Sequence, residues 1–254
     1  IEKKKLEKSA FIIYACKVFF FSKKKTEYEF PLSSVGSKRC IETELKMSKF
    51  PNKTHLKLNE FVKDYASEMQ KAYDSIDLEE LDEIASLLIN SIKDKKKIYT
   101  CGNGGSAAIS EHFVCDFLKG SSTGTDISPV IHSLSSNTPT LTAVANDIDY
   151  ESVFSFSVER YGEKGDILIC VSSSGNSPNI VKAIKAAKTL GMITVSFVGF
   201  SGGKARDESD YSIYIPNENY GVVEDTHHSL MHILSQYVRI KTLTDEEDLG
   251  NVVF

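Results

Sequence analysis

From residue 96 onward the chain alternates short apolar runs with helical patterns, and this alternation limits the fold more than any other feature. KKIYTCG (96–102), PVIHSL (129–134), DILICVSSSG (166–175), ITVSFVG (193–199) and YSIYIP (211–216) read as five strands. Helical periodicity fills 105–119, 149–161, 177–190 and 224–241 between and after them. Strands of this length joined through helices form βαβ units with right-handed crossovers and a parallel sheet. The fold class expected is α/β, a three-layer αβα sandwich on a five-stranded parallel sheet. Residues 55–98 precede it as a helical hairpin, with Leu56, Leu58, Phe61, Val62, Tyr65 and Met69 at helical spacing and Asp77 as N-cap of the second helix.

The chain before Met47 has a different texture. Residues 1–46 carry a net charge of +5 and the remainder −10, within a total of −5 over 254 residues. AFIIYACKVFFF (10–21) is the strongest apolar run, flanked by lysines, but it is too short for a bilayer span and lacks a signal-peptide cleavage pattern. The expected division is an extension, 1–46, that is not part of the native enzyme, and a working body, 47–254. The rival is a native extension that touches a membrane or partner through aromatics between basic flanks. With no basic surplus in the body, nucleic acid is not an expected partner, and neither is a membrane. The five cysteines, Cys16, Cys40, Cys101, Cys115 and Cys170, have no disulfide spacing and fit buried thiols in a reducing, cytoplasmic compartment.

Two loops follow strands and open helices. The first is Cys101-Gly102-Asn103-Gly104-Gly105-Ser106, whose glycines let backbone approach an anion at a helix start. Its spacing fits neither the dinucleotide fingerprint nor the nucleotide P-loop. The second is Ser172-Ser173-Ser174-Gly175-Asn176-Ser177-Pro178, where four hydroxyls and several amides converge at one helix N-terminus. One or two serines would suffice for an ordinary capped turn; four fit a phosphate group. A third loop, Asn146-Asp147, either binds sugar hydroxyls or caps the next helix. Titratable residues gather on two helices. His112 and Asp116 are four apart, and Glu224, His228 and His232 form a ladder at the same spacing beside Asp225 and His227. Such a set suits one divalent cation of the zinc type.

GNGGSAAISEHF, TAVANDIDYESVF, ILICVSSSGNSPNIVKAIKAAKTLGMITVSFVG and VEDTHHSLMHIL resemble, in order, segments of the phosphoheptose isomerases, a branch of the SIS domain group. The resemblance spans about residues 55–241. It implies an aldose–ketose isomerase converting sedoheptulose 7-phosphate into a manno-heptose 7-phosphate through an enediol, within heptose biosynthesis, as a homotetramer with active sites at subunit contacts. By resemblance, Asn103, Gly104, Gly105, Ser106, Asn146 and Asp147 contact substrate, and Ser172, Ser173, Ser174 and Ser177 hold its phosphate. His112, Asp116, Glu224 and His232 take the metal positions, with one zinc-like ion per subunit. Asp116 is the expected base and His232 the expected acid, and both Asp116 and Glu224 also face substrate. The family's pattern has glutamate at 116 and often glutamine at 224, so both positions depart from it. Spacing alone favours His228 over Glu224 as partner of His232, since residues eight apart on a helix are about 12 Å apart in rise. The alternatives are a non-catalytic SIS regulator that binds a sugar phosphate, an isomerase of another sugar phosphate, and a protein-association domain.

Overall fold

A computed structural model describes residues 47–244. The extension 1–46 lies outside the described residues. Two helices come first, α1 (Leu58–Asp74) and α2 (Leu78–Lys93). Asp77 caps α2 by accepting from the amides of Glu79 and Glu80, as its position predicts. Then come β1 (Lys97–Gly102), α3 (Gly105–Cys115), a π-turn at Asp116–Gly120, β2 (Val130–Ser133), α4 (Thr138–Asp147) and a 3₁₀ turn at Tyr150–Ser152. The chain continues through α5 (Ser155–Tyr161), β3 (Ile167–Ser172), α6 (Pro178–Thr189), β4 (Ile193–Val198), α7 (Gly203–Glu208), β5 (Tyr211–Tyr214) and α8 (Tyr220–Thr242).

All five strands pair in parallel, in the order β2-β1-β3-β4-β5. Both faces of the sheet are covered, which is why its strands read as continuous apolar runs. In β3, Ile167, Ile169 and Val171 pack beneath α1, α2, α3 and α8, while Leu168 and Cys170 pack with residues of α4, α5 and α6 on the other face. The order reverses between β1 and β3: the chain leaves β1 for one edge and returns to pair with it on the other side. Open parallel sheets hold ligands at the carboxyl ends of strands beside such a switch. Gly102 pairs with Val171 across it, so the glycine and serine loops emerge side by side.

Three differences from the sequence reading have local causes. Asn146 and Asp147 are not in a loop; they end α4, and both are exposed. That helix is rich in threonine and holds a proline, so its periodicity is weak. The Asn137 side chain caps it on the amide of Thr140, and Pro139 sits in its first turn. The helix expected over 149–161 is split into the 3₁₀ turn and α5. The helix expected over 105–119 loosens into a π-turn at Asp116, where the Ser121 amide reaches back to the Asp116 carbonyl at 2.8 Å. Single π-turns of this kind recur at functional sites.

The chain just after Met47 is fastened to the body. Ser48 exchanges backbone hydrogen bonds with Pro216 and Glu218. Its hydroxyl donates to Glu68, which also accepts from Asn217 Nδ2 and pairs with Lys71. Burial opposes ionisation of Glu68, but these donors outweigh it and hold its pKa below the ordinary value.

Candidate active site

The glycine loop is shaped by close approach. Gly105 begins α3, and a Cβ there would stand 2.5 Å from Glu224 Oε2, so the missing side chain makes room for that carboxylate. Gly104 adopts a positive φ of 53°. Ser106 is buried in the first turn of α3, where the Ala107 amide already bonds back to the Asn103 and Gly104 carbonyls. Asn103 is bound to the serine-loop helix by a reciprocal amide pair: its Nδ2 donates to Asn179 Oδ1 at 3.0 Å and its Oδ1 accepts from Asn179 Nδ2 at 2.9 Å. The Tyr150 hydroxyl also donates to Asn103 Oδ1. The two loops are therefore one rigid unit.

In the serine loop, Ser172 Oγ accepts from the Gly175 amide and Ser174 Oγ from the Asn176 amide. Ser177 stands at the N-cap of α6 without using its side chain as a cap, so that hydroxyl is free for a ligand. Ser173 Oγ is buried and makes no protein hydrogen bond of ordinary geometry. The charged group it faces is the Glu224 carboxylate. Burial, with Asp225 next to it, raises the Glu224 pKa, and Ser173 only partly offsets this.

The second half of the site lies where α3 meets α8. Asp116 uses both oxygens: Oδ2 is 2.6 Å from His232 Nδ1 and Oδ1 is 3.3 Å from His112 Nε2. Ser235 Oγ adds a longer contact to Asp116 Oδ2 at 3.4 Å. His112 Nδ1 in turn meets His228 Nε2 at 2.8 Å. The rings of His112, His228 and His232 lie 4.7–5.0 Å apart, centroid to centroid. Burial and the two neighbouring imidazoles lower the His228 pKa, favouring the neutral ring that a cation needs.

Of the four metal positions implied by resemblance, His112, Asp116 and His232 meet in space. Glu224 lies one turn before His228 on α8 and packs against Gly105 instead. The imidazole that touches His112 belongs to His228, which spacing favours and resemblance omits. Among the described residues, the Asn146 and Asp147 side chains bond to each other, Asn146 Nδ2 donating to Asp147 Oδ1 at 2.8 Å. Asn179 and Tyr150, which brace the glycine loop, carry no motif that singles them out. A cleft of about 530 Å³ lies elsewhere, along β2 and the start of β1, and none of these candidate residues lines it.

Comparison with known proteins yields consistent matches. Residues 60–199 match the SIS domain family. The phosphoheptose isomerase of Clostridium acetobutylicum is 36% identical over 171 residues, covering 67% of this chain and 87% of that protein. That of Helicobacter pylori strain P12 is 40% identical over 173 residues, covering 65% and 85%. Among solved structures, the phosphoheptose isomerase of Neisseria gonorrhoeae superposes with a TM-score of 0.64 at 30% identity, over 71% of this chain and 96% of that one. The Francisella tularensis phosphoheptose isomerase shares the fold, with a TM-score of 0.66 at 23% identity over 71% and 95%.

Proposed function

The chain belongs to the SIS domain family and, within it, to the phosphoheptose isomerases, and from that premise we propose how its residues divide the isomerisation of sedoheptulose 7-phosphate. The reaction carries a proton between adjacent carbons of a ketose and an aldose through an enediol. It needs a phosphate grip, a base and a stabiliser for the developing oxyanion.

Phosphate binding falls to the 172–177 turn. The Ser177 hydroxyl, with Ser173 and Ser174 beside it in the turn, would donate to a dianion without any lysine. Gripping the remote end lets binding energy position the reacting carbons near the glycine loop. Asp116 is the base. Its carboxylate is held in place by His232 and His112, which fixes its orientation. His232, given the acid's part by resemblance, bonds Asp116 through Nδ1, so its Nε2 is the atom left for a proton or a cation. The imidazoles beside Asp116 suit one divalent cation, and zinc fits their nitrogen-rich chemistry. Such an ion would polarise the sugar's carbonyl and hydroxyl oxygens and ease enolate formation.

A homotetramer is the assembly this reading expects. Its support is two apolar stripes left on the surface: Leu58 and Val62 on α1, 78% and 56% exposed, and Ile233, Tyr237 and Ile240 on α8. The single observation that carries the functional proposal is that β1 and β3 deliver the glycine and serine loops side by side, with Glu224 packed against both. The test is Asp116→Asn in the full chain. It should abolish most turnover of sedoheptulose 7-phosphate while binding of the sugar phosphate, read by calorimetry, stays within about threefold. Near-normal turnover would remove Asp116 from the base's role.

A further inference from the structure

We propose that Asn179 and Tyr150 are positioning residues for the isomerisation: they lock the Asn103 amide so that its remaining N–H donates to the sugar oxygen that becomes anionic on the way to the enediol. This rests on the isomerase reading above and deepens it, since resemblance gives neither residue a part. The orientation of the amide follows from one backbone group. The Ile180 N–H, which can only donate, lies 3.0 Å from one end of the Asn179 side chain, so that end is its oxygen, Oδ1. The other end, Nδ2, therefore donates, and the Asn103 atom it meets at 2.9 Å is Oδ1. The return bond runs from Asn103 Nδ2 to Asn179 Oδ1 at 3.0 Å. The Tyr150 hydroxyl is a second donor to Asn103 Oδ1, also at 3.0 Å.

With two donors on it, Asn103 Oδ1 has both lone pairs engaged. Nδ2 uses one N–H on Asn179, and its second N–H has no partner among the described residues. Asn103 is only half-buried, so a ligand can reach that hydrogen. The amide thus offers the sugar a donor and no acceptor. Turned over, it would set a carbonyl oxygen against the developing negative charge. Both braces trace to α6, the helix that the serine loop opens. Asn179 is buried in its first turn. Tyr150 stands on the 3₁₀ turn that Lys182 of α6 holds, donating to Ser152 Oγ at 2.7 Å and lying 3.7 Å from Asp149 Oδ2. When the base takes the proton from carbon, charge moves onto the neighbouring oxygen, and Asn103 keeps its hydrogen while donating to it. A donor fixed in place before that charge appears lowers the barrier because nothing has to reorganise.

The test is a double-mutant cycle on the full chain, read by steady-state turnover of sedoheptulose 7-phosphate with a thermal melt beside it. Asn103→Ala should lower kcat by about 100-fold, the loss of one oxyanion donor. Tyr150 is 60% exposed, so Tyr150→Phe removes a hydroxyl without disturbing the core. It should lower kcat by about 5- to 10-fold, with KM within about threefold and the melting temperature within about 2 °C of the parent. Asn179→Asp keeps the side chain's volume but turns its donor into an acceptor, and should lower kcat by at least about 10-fold. Added to Asn103→Ala, Tyr150→Phe should change kcat by less than about twofold, because it acts only through Asn103. Parent-like kcat in Tyr150→Phe, or a loss just as large on the Asn103→Ala background, overturns the assignment. A parent chain with no turnover at all fails the isomerase reading and takes this assignment with it.

Discussion

Gly105 and Glu224 are matched to each other, because the space a Cβ would occupy is the space the carboxylate fills. Gly105→Ala should therefore fold, since the clash is with the end of a flexible side chain. Turnover should fall by about 10- to 100-fold, the effect of a small displacement at the reacting groups; steady-state kinetics beside a thermal melt checks both halves. Ser177→Ala removes a hydroxyl that does not cap its helix, so stability should hold. KM for the sugar phosphate should rise about tenfold with kcat little changed, the mark of lost uniform binding worth about 1.5 kcal/mol. At this scale the sequence was legible wherever function is local. The serine and glycine loops announce themselves because their chemistry is confined to a few consecutive residues. Between Glu224 and His228 the sequence supports two answers, helical spacing favouring His228 and resemblance Glu224, and the packing of α8 on α3 brings His228 to His112.

Single elements carry consequences that no site residue reports. Gly175 turns the serine loop with φ of +65°, and a Cβ there would stand 1.8 Å from the Gly202 carbonyl oxygen. Backbone cannot yield as a side chain does, so Gly175→Ala should cost at least about 3 kcal/mol in denaturant unfolding. On α8, His227 is fully buried against the edge of Phe197, with the Val198 backbone as a weak polar contact. Burial pushes its pKa down to about 4, from 6.5 when exposed. The folded state thus prefers the neutral ring. Its contribution is intact above pH 6.5 and is lost as pH falls from 6.5 toward 4, amounting to about 3 kcal/mol. His227→Leu should flatten the acid side of the stability–pH profile over that interval. The strands were readable because a sheet buried on both faces needs unbroken apolar runs. The helix α4 was not, since its cap and proline outweigh a sequence poor in helix formers, and nothing in the sequence marks the π-turn at Asp116.

At the scale of the molecule, a parallel sheet with a switch between β1 and β3 collects the loops against Glu224, and α3 and α8 assemble the titratable cluster one and two turns further along α8. The homotetramer proposed above would bury the apolar stripes on α1 and α8. Val62→Lys with Ile240→Glu should shift the mass measured by light scattering from tetramer toward smaller species. The body fastened by Ser48 and Asn217 should be self-sufficient, so a chain starting at Met47 should keep its melting temperature and turnover. The most direct measurement is proton NMR of sedoheptulose 7-phosphate incubated with the full chain and Zn²⁺. The account predicts growing anomeric signals of an aldoheptose 7-phosphate, absent with Asp116→Asn. A ketose spectrum that stays unchanged with the parent chain would contradict it.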